Sequence, residues 1–195
     1  MARPADPHRR ARTLAAAADY VLEHGLAGLS LRPLASALGT STRMLLYDFA
    51  SKEELVMAVL AEVRRREAGL LAEYVSQTGA SGPDLVRAVW DWASAAERTP
   101  FMRLFFEVYV EAMANPGTYS ERGRAMVTEW LDQFGATVTG PPDGPSDTAS
   151  ATLVIAVLRG LLLDRLGTGD EQRTDRALER FADLLAGAAG EQDDR

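Results

Sequence analysis

The stretch from Leu31 to Lys52, LRPLASALGTSTRMLLYDFASK, constrains the fold more than any other part of the chain. Ser30 is placed to cap a short helix whose apolar positions Leu31, Leu34, Ala35 and Leu38 fall at helical spacing. Pro33 lies early enough in it to lack only a backbone N–H with no intrahelical acceptor. Gly39 stops that helix, Thr40 or Ser41 caps the next, and a second short helix is predicted from Thr42 to about Phe49. Two short helices around a glycine turn predict a helix-turn-helix.

The second helix sorts its side chains. At about 100° per residue, Leu45 and Phe49 lie on one side with Thr42 and Leu46 near them, while Arg43, Met44 and Tyr47 point the other way. An outward face with an arginine, a tyrosine and capping hydroxyls suits the major groove, where Arg binds guanine bidentately and Ser or Thr binds phosphate. The bland alternative is an ordinary α-hairpin with a solvated polar face.

Composition narrows the setting. The 195 residues are 47% hydrophobic, ample for a core, and carry no cysteine, which removes disulfides and thiolate metal sites and fits a cytoplasmic protein. No apolar run approaches the ~20 residues needed to span a bilayer, so neither secretion nor membrane insertion is expected. The net charge of −7 is unevenly distributed: residues 1–66 hold ten Lys and Arg against seven Asp and Glu, and the rest eleven against twenty-one. A mildly basic first third on an acidic body directs the former toward phosphate. Two histidines, both in the N-terminal third, no phosphate-cradling glycine loop and no His-rich metal spacing give no basis for an enzyme, a metal site or a cofactor.

Taken in order, residues 1–7 read as a flexible arm and His8 to Glu23 as an amphipathic helix ending at Gly25. Arg9, Arg10 and Arg12 at its start oppose the helix dipole, so either a nearby phosphate or simple solvation accounts for them. His24 reads as a dipole-compatible residue near the helix end. Ser51 to Glu54 form a capping box opening a long helix to about Gln77, which should bridge two domains; Lys52 in its first turn can meet a phosphate.

The run Ala16-Ala17, Gly25, Ser30-Leu31, Leu34-Ala35, Leu38-Gly39-Thr40-Ser41, Phe49 and Ser51-Lys52-Glu53-Glu54-Leu55 resembles the DNA-binding domain of the tetracycline-repressor (TetR) family of bacterial regulators, over roughly residues 10–60. The resemblance implies a three-helix DNA-reading domain joined by a fourth helix to an all-helical ligand-binding and dimerisation domain. The chain departs from the family where a tyrosine and, two residues on, a histidine are usual: Leu46 and Asp48 hold those places. Tyr47 is positioned to supply the displaced contact, whereas Asp48 would repel phosphate or accept from cytosine N4.

The remainder reads as five further helices, beginning near Pro83, at Thr99-Pro100, around Met126 to Val138, at about Thr148, and after Gly169, with a Pro/Gly linker at 139–147. The helix from Thr148 to Leu166 is apolar almost all round and needs partners on all sides, which a second copy of the chain would supply. Trp90 and Trp92 mark the two edges of one apolar stripe, so the pattern predicts that they do not share a core. Arg103, Glu107 and Glu111 share a polar wedge; a pocket with Glu107 or Glu111 at its wall would prefer a cation, but the wedge reads as solvated.

The fold expected is therefore all-α with about nine helices: a helix-turn-helix domain over 1–50, a ligand-binding and dimerisation domain over 51–190, and a disordered tail over 191–195. The function expected is a homodimeric transcriptional regulator, a repressor released from a palindromic double-stranded operator by a small apolar or aromatic ligand. The alternative is a helical ligand-binding or interaction protein whose helix-turn-helix no longer reads DNA. The candidate DNA-binding residues are Arg9, Arg12, Ser30, Arg32, Thr40, Ser41, Thr42, Arg43, Met44, Tyr47 and Lys52. Trp90, Trp92, Phe105, Phe106, Tyr109, Met113, Met126 and Trp130 are the candidate ligand contacts, and Leu158, Leu161, Leu162, Arg165, Leu178, Phe181 and Leu185 the candidate dimer interface.

Overall fold

The computed structural model describes residues 7–27, 29–114 and 148–193. Among them the chain is all-helical: α1 (Pro7–His24), α2 (Leu31–Ala37), α3 (Thr42–Phe49), α4 (Lys52–Thr78), α5 (Gly82–Ser94), a 3₁₀ turn (Ala96–Arg98), α6 (Thr99–Ala114), α7 (Thr148–Thr168) and α8 (Glu171–Asp193). The helix expected around Met126 to Val138 and the linker 139–147 lie outside the described residues. The last helix continues to Asp193, into the segment expected as tail.

Helices of seven and eight residues are marginal by themselves in water, so α2 and α3 exist because their apolar sides are covered. Leu34 and Ala35 of α2 and Leu45 and Phe49 of α3 are buried with Ala17, Ala18 and Val21 of α1 and Leu55, Val56 and Val59 of α4. Gly39, at φ +61°, makes the turn between them in the left-handed region that costs glycine nothing. The turn from α3 to α4 is tighter: Ser51 N–H donates to the Phe49 carbonyl at 2.7 Å, which closes a three-residue turn and holds Ala50 at φ +65°.

With 27 residues, α4 is roughly 40 Å long and packs against α1 and α3 at one end and α5 further along. Arg66 ties α1 to it, donating to the Asp19 carboxylate at 2.7 Å and the Ala15 carbonyl at 3.3 Å. One buried apolar cluster runs without a break from Ala17 in α1 to Leu178 in α8. The helix-turn-helix head, α1 to α3, and the body that follows it are thus continuous in their packing.

Trp90 and Trp92 are both buried in that cluster, contrary to the expectation from their positions on the stripe edges. Helix α5 contacts α4, α6, α7 and α8, so core surrounds it on both flanks and each indole finds a partner. Trp90 Nε1–H donates to Asp175 at 2.9 Å, and Trp92 meets Phe101 edge-on with the Arg98 guanidinium 5.2 Å from its ring centre. Beneath that guanidinium lies Glu67, a buried carboxylate in α4 paired to Arg98 at 3.0 Å. Burial pushes the Glu67 carboxyl up, and Arg98 opposes the shift.

Candidate functional site

The surface of α3 divides as its periodicity implied, with one change. Leu45 and Phe49 point inward; Arg43 and Tyr47 are exposed, and Leu46 is exposed with them at 40% of its surface instead of packing beside Leu45. The outward face therefore carries a cation, a phenol and an apolar branched side chain together. Ser41 accepts from the Met44 N–H at 3.2 Å and caps α3, while Ser51 caps α4 through the Glu54 N–H at 3.0 Å. Ser30 occupies the extended N-cap position of α2 but makes no side-chain capping bond. Arg12, Arg32 and Lys52 are exposed around the same end of the molecule, and Thr40, Thr42 and Met44 are half-buried. Arg43 has no carboxylate paired to it among the described residues.

Arg9, Arg10 and Asp48 behave differently from the sequence reading. The Arg9 guanidinium pairs with the Asp48 carboxylate at 2.6 Å, and that carboxylate is all but fully buried beneath it, with 1% of its side chain exposed. Arg10 donates to the Asp48 carbonyl at 3.1 Å and stacks 4.8 Å from the Phe49 ring centre. The two arginines thus hold the C-terminal end of α3, where the helix dipole favours positive charge. The Asp48 carboxylate is consequently turned inward, not presented on the outward face of α3, and Arg9 is engaged inside the head. The distance of 39 residues between the partners hid this clasp from any local pattern.

The expected ligand residues do not gather at one place. Trp90 and Trp92 belong to the core, Met113 is 72% exposed, and Phe105 and Tyr109 pack on each other with Arg159 over the Tyr109 ring at 4.9 Å. Met126 and Trp130 lie outside the described residues. Of the six that are described, Phe106 alone lines a cavity of about 750 Å³. This cavity sits between head and body. Its head side is the loop after α1, at Leu26 and Leu29, with Val56 and Met57 of α4; its body side is α6 and the end of α7.

Glu107 stands in its wall and is not solvated as the wedge implied. Half-buried, it accepts the Leu26 N–H at 2.7 Å across 81 residues of sequence. The same carboxylate lies against Gly25, which has φ +76° and where an added Cβ would fall 2.8 Å from an oxygen of Glu107. Nothing in the Glu107 spacing signals this contact; Gly25, read only as a helix end, was the nearest clue. His24, one residue earlier, donates its Nδ1–H to the Tyr20 carbonyl at 2.9 Å and stacks on the Tyr20 ring, a role within its own helix.

On α7 and α8 the expected interface residues split. Leu158, Leu162 and Leu178 are buried within the chain, Leu161, Phe181 and Leu185 are half-buried against the same core, and Arg165 binds Asp175 at 2.8 Å. A helix apolar on every side offers no period from which to tell inside from outside. The exposed apolar stripe is one register over: Leu153, Ala156, Gly160 and Leu163 on α7, with Leu184 exposed on α8. The small residues at 156 and 160 were the available signal.

Residues 14–59 match the family model of bacterial regulatory proteins of the tetR family. A search of curated proteins returned no significant match. Among solved structures, a transcriptional regulator of the TetR family from Cytophaga hutchinsonii superposes with a TM-score of 0.71 at 19% identity, over 92% of this chain and 94% of that one. A chain from Streptomyces coelicolor A3(2), described as a transcriptional regulator, gives 0.72 at 23% identity, over 92% and 99%. The multidrug binding protein EbrR, solved in complex with proflavin, gives 0.65 at 28% identity, over 88% and 98%. Among the described residues no helix is long and apolar enough to cross a membrane, and no group of acidic, His or Cys side chains is arranged to hold a metal. The N-terminal helices thus match the family model of tetR-family bacterial regulatory proteins over residues 14–59, and the chain as a whole is similar in fold to solved transcriptional regulators of that family.

Proposed function

We propose that the protein is a homodimeric repressor that binds a near-palindromic operator and is released from it by a small molecule. The observation that carries this reading is the outward face of α3, where Arg43, Leu46 and Tyr47 are exposed beside two capped helix starts while every other side of the helix is packed. Arg43 is assigned to a base edge, Leu46 to a thymine methyl, and Ser41, Thr42, Tyr47 and Lys52 to phosphates, with Arg12, Arg32 and Thr40 flanking them. Arg9 acts indirectly, through Asp48.

Dimerisation is assigned to the exposed stripe of α7 and to Leu184, which would otherwise leave apolar surface in water. A two-fold dimer sets its recognition helices about 34 to 36 Å apart, one helical turn of DNA. Responsiveness to a small molecule is supported by the drug complex of EbrR, at 28% identity. Replacing Leu184 by Glu, a residue exposed in one protomer, is expected to give helical monomers in light scattering with operator affinity reduced about 100-fold. An intact dimer would place the interface elsewhere.

A further inference from the structure

We propose that the junction cavity binds a lipophilic organic cation, and that such a ligand acts by taking the Glu107 carboxylate from the Leu26 N–H. The inference rests on the reading of the protein as a ligand-released repressor and adds where the ligand sits and what chemistry it has.

Three features converge on Glu107. Its carboxylate is half-buried in the wall of a largely apolar cavity of about 750 Å³, within the 300–1,000 Å³ usual for small-molecule sites. Its partner is a neutral amide, the Leu26 N–H at 2.7 Å, and no arginine or lysine is paired to it among the described residues. A carboxylate accepts several hydrogen bonds, and one from a cation is roughly twice as strong as one from a neutral donor. An apolar cation entering here therefore meets both the surface and the counter-charge it needs. Lys52 and Arg103 also border the cavity, but both are exposed, so water solvates their charged ends at the rim. The net charge of residues 67–195, eleven cations against twenty-one anions, favours a positive ligand further.

The position explains why binding would be felt by DNA. Leu26 starts the loop from α1 to α2, and Gly25 ahead of it is in contact with Glu107, so this one side chain of α6 steadies the loop that holds the helix-turn-helix. Val56 and Met57 on the opposite wall belong to the first turns of α4, directly after the recognition helix. A ligand that draws Glu107 into the cavity unties the loop and leaves the Leu26 N–H without its acceptor. It is thereby disfavoured in the DNA-competent state, and only such differential affinity can release DNA.

The matched ions tetraphenylphosphonium and tetraphenylborate, similar in shape and opposite in charge, test this on the full chain by titration calorimetry. Tetraphenylphosphonium should bind the wild type and tetraphenylborate should not. Glu107→Gln, which keeps an oxygen for the Leu26 N–H, should weaken the phosphonium roughly tenfold or more. Met57→Trp, which fills the cavity without touching the charge, should weaken it as well. DNA selected by the protein should lower phosphonium affinity about fivefold or more, and the cation should lower DNA affinity by the same factor. Equal binding of both ions, or undiminished phosphonium binding by a folded Glu107→Gln variant, overturns the site. Cation binding with no effect on DNA affinity overturns the coupling and leaves the repressor reading standing. Failure to enrich any DNA overturns the repressor reading itself, while calorimetry still decides the site.

Discussion

The head and the body are built from the same material, apolar residues at helical spacing, yet only the head reads clearly. In the head each short helix has one side to bury and one to leave open: Leu45 and Phe49 against Arg43 and Tyr47. A periodic pattern contains the fold and the outward face at once. In the body α5 touches four other helices, and the apolar positions of α7 divide among the core, half-buried flanks and an exposed stripe. Burial there depends on neighbours distant in sequence, and periodicity predicts that a helix exists without predicting which way it faces.

If this contrast is correct, removing apolar volume from the head should abolish function along with stability, because the head has few residues to spare. Phe49→Ala is expected to cost roughly 3–5 kcal/mol by urea denaturation and to eliminate specific DNA binding. Retained binding would mean that the recognition helix does not depend on its inward side.

The body is expected to be sensitive at its buried charges. Arg98→Met leaves the buried Glu67 unpaired and should cost roughly 3 kcal/mol, measured the same way, whereas Glu67→Gln together with Arg98→Met should recover most of the loss. A single variant as costly as the double would show that packing on Trp92, not the ion pair, is what matters.

The smallest effect concerns the helix that joins the two regions. Hydrogen bonding from Arg65, and then from Arg66, holds the Glu62 carboxyl down from its ordinary 4.5 to about 2. A carboxyl whose folded value lies below its unfolded one contributes stability that is fully present above about pH 4.5 and is lost as the pH falls toward 2. Solvent screens this cluster, so the contribution is less than about 1 kcal/mol. Glu62→Gln should flatten that part of the acid limb in urea midpoints taken at pH 5 and pH 3; an unchanged limb would assign the acid sensitivity to other carboxylates.

What was legible follows from range. The glycine turn, the Ser41 and Ser51 caps, and the inward pair Leu45 and Phe49 are all decided within a few residues, and each is found where its local chemistry puts it. Arg9 with Asp48, Glu107 with Leu26 and Arg98 with Glu67 join positions 39, 81 and 31 residues apart, and no spacing encodes such pairs. Asp48 shows the consequence. On a helical wheel it is a carboxylate of α3 with no evident partner, and only the burial of its side chain under Arg9 removes it from the outward face. The expected effector residues are aromatics and methionines, side chains that cores also take, and two of them, Trp90 and Trp92, are core.

The most direct measurement is selection of bound sequences from random double-stranded DNA by the purified protein and by its Arg43→Ala variant. The account predicts an approximately palindromic site with half-sites one helical turn apart, and a variant that loses preference at one base pair of each half-site, worth about 1–3 kcal/mol. No enrichment by the wild type, or an identical site for both proteins, would contradict the assignment of the outward face of α3 to DNA.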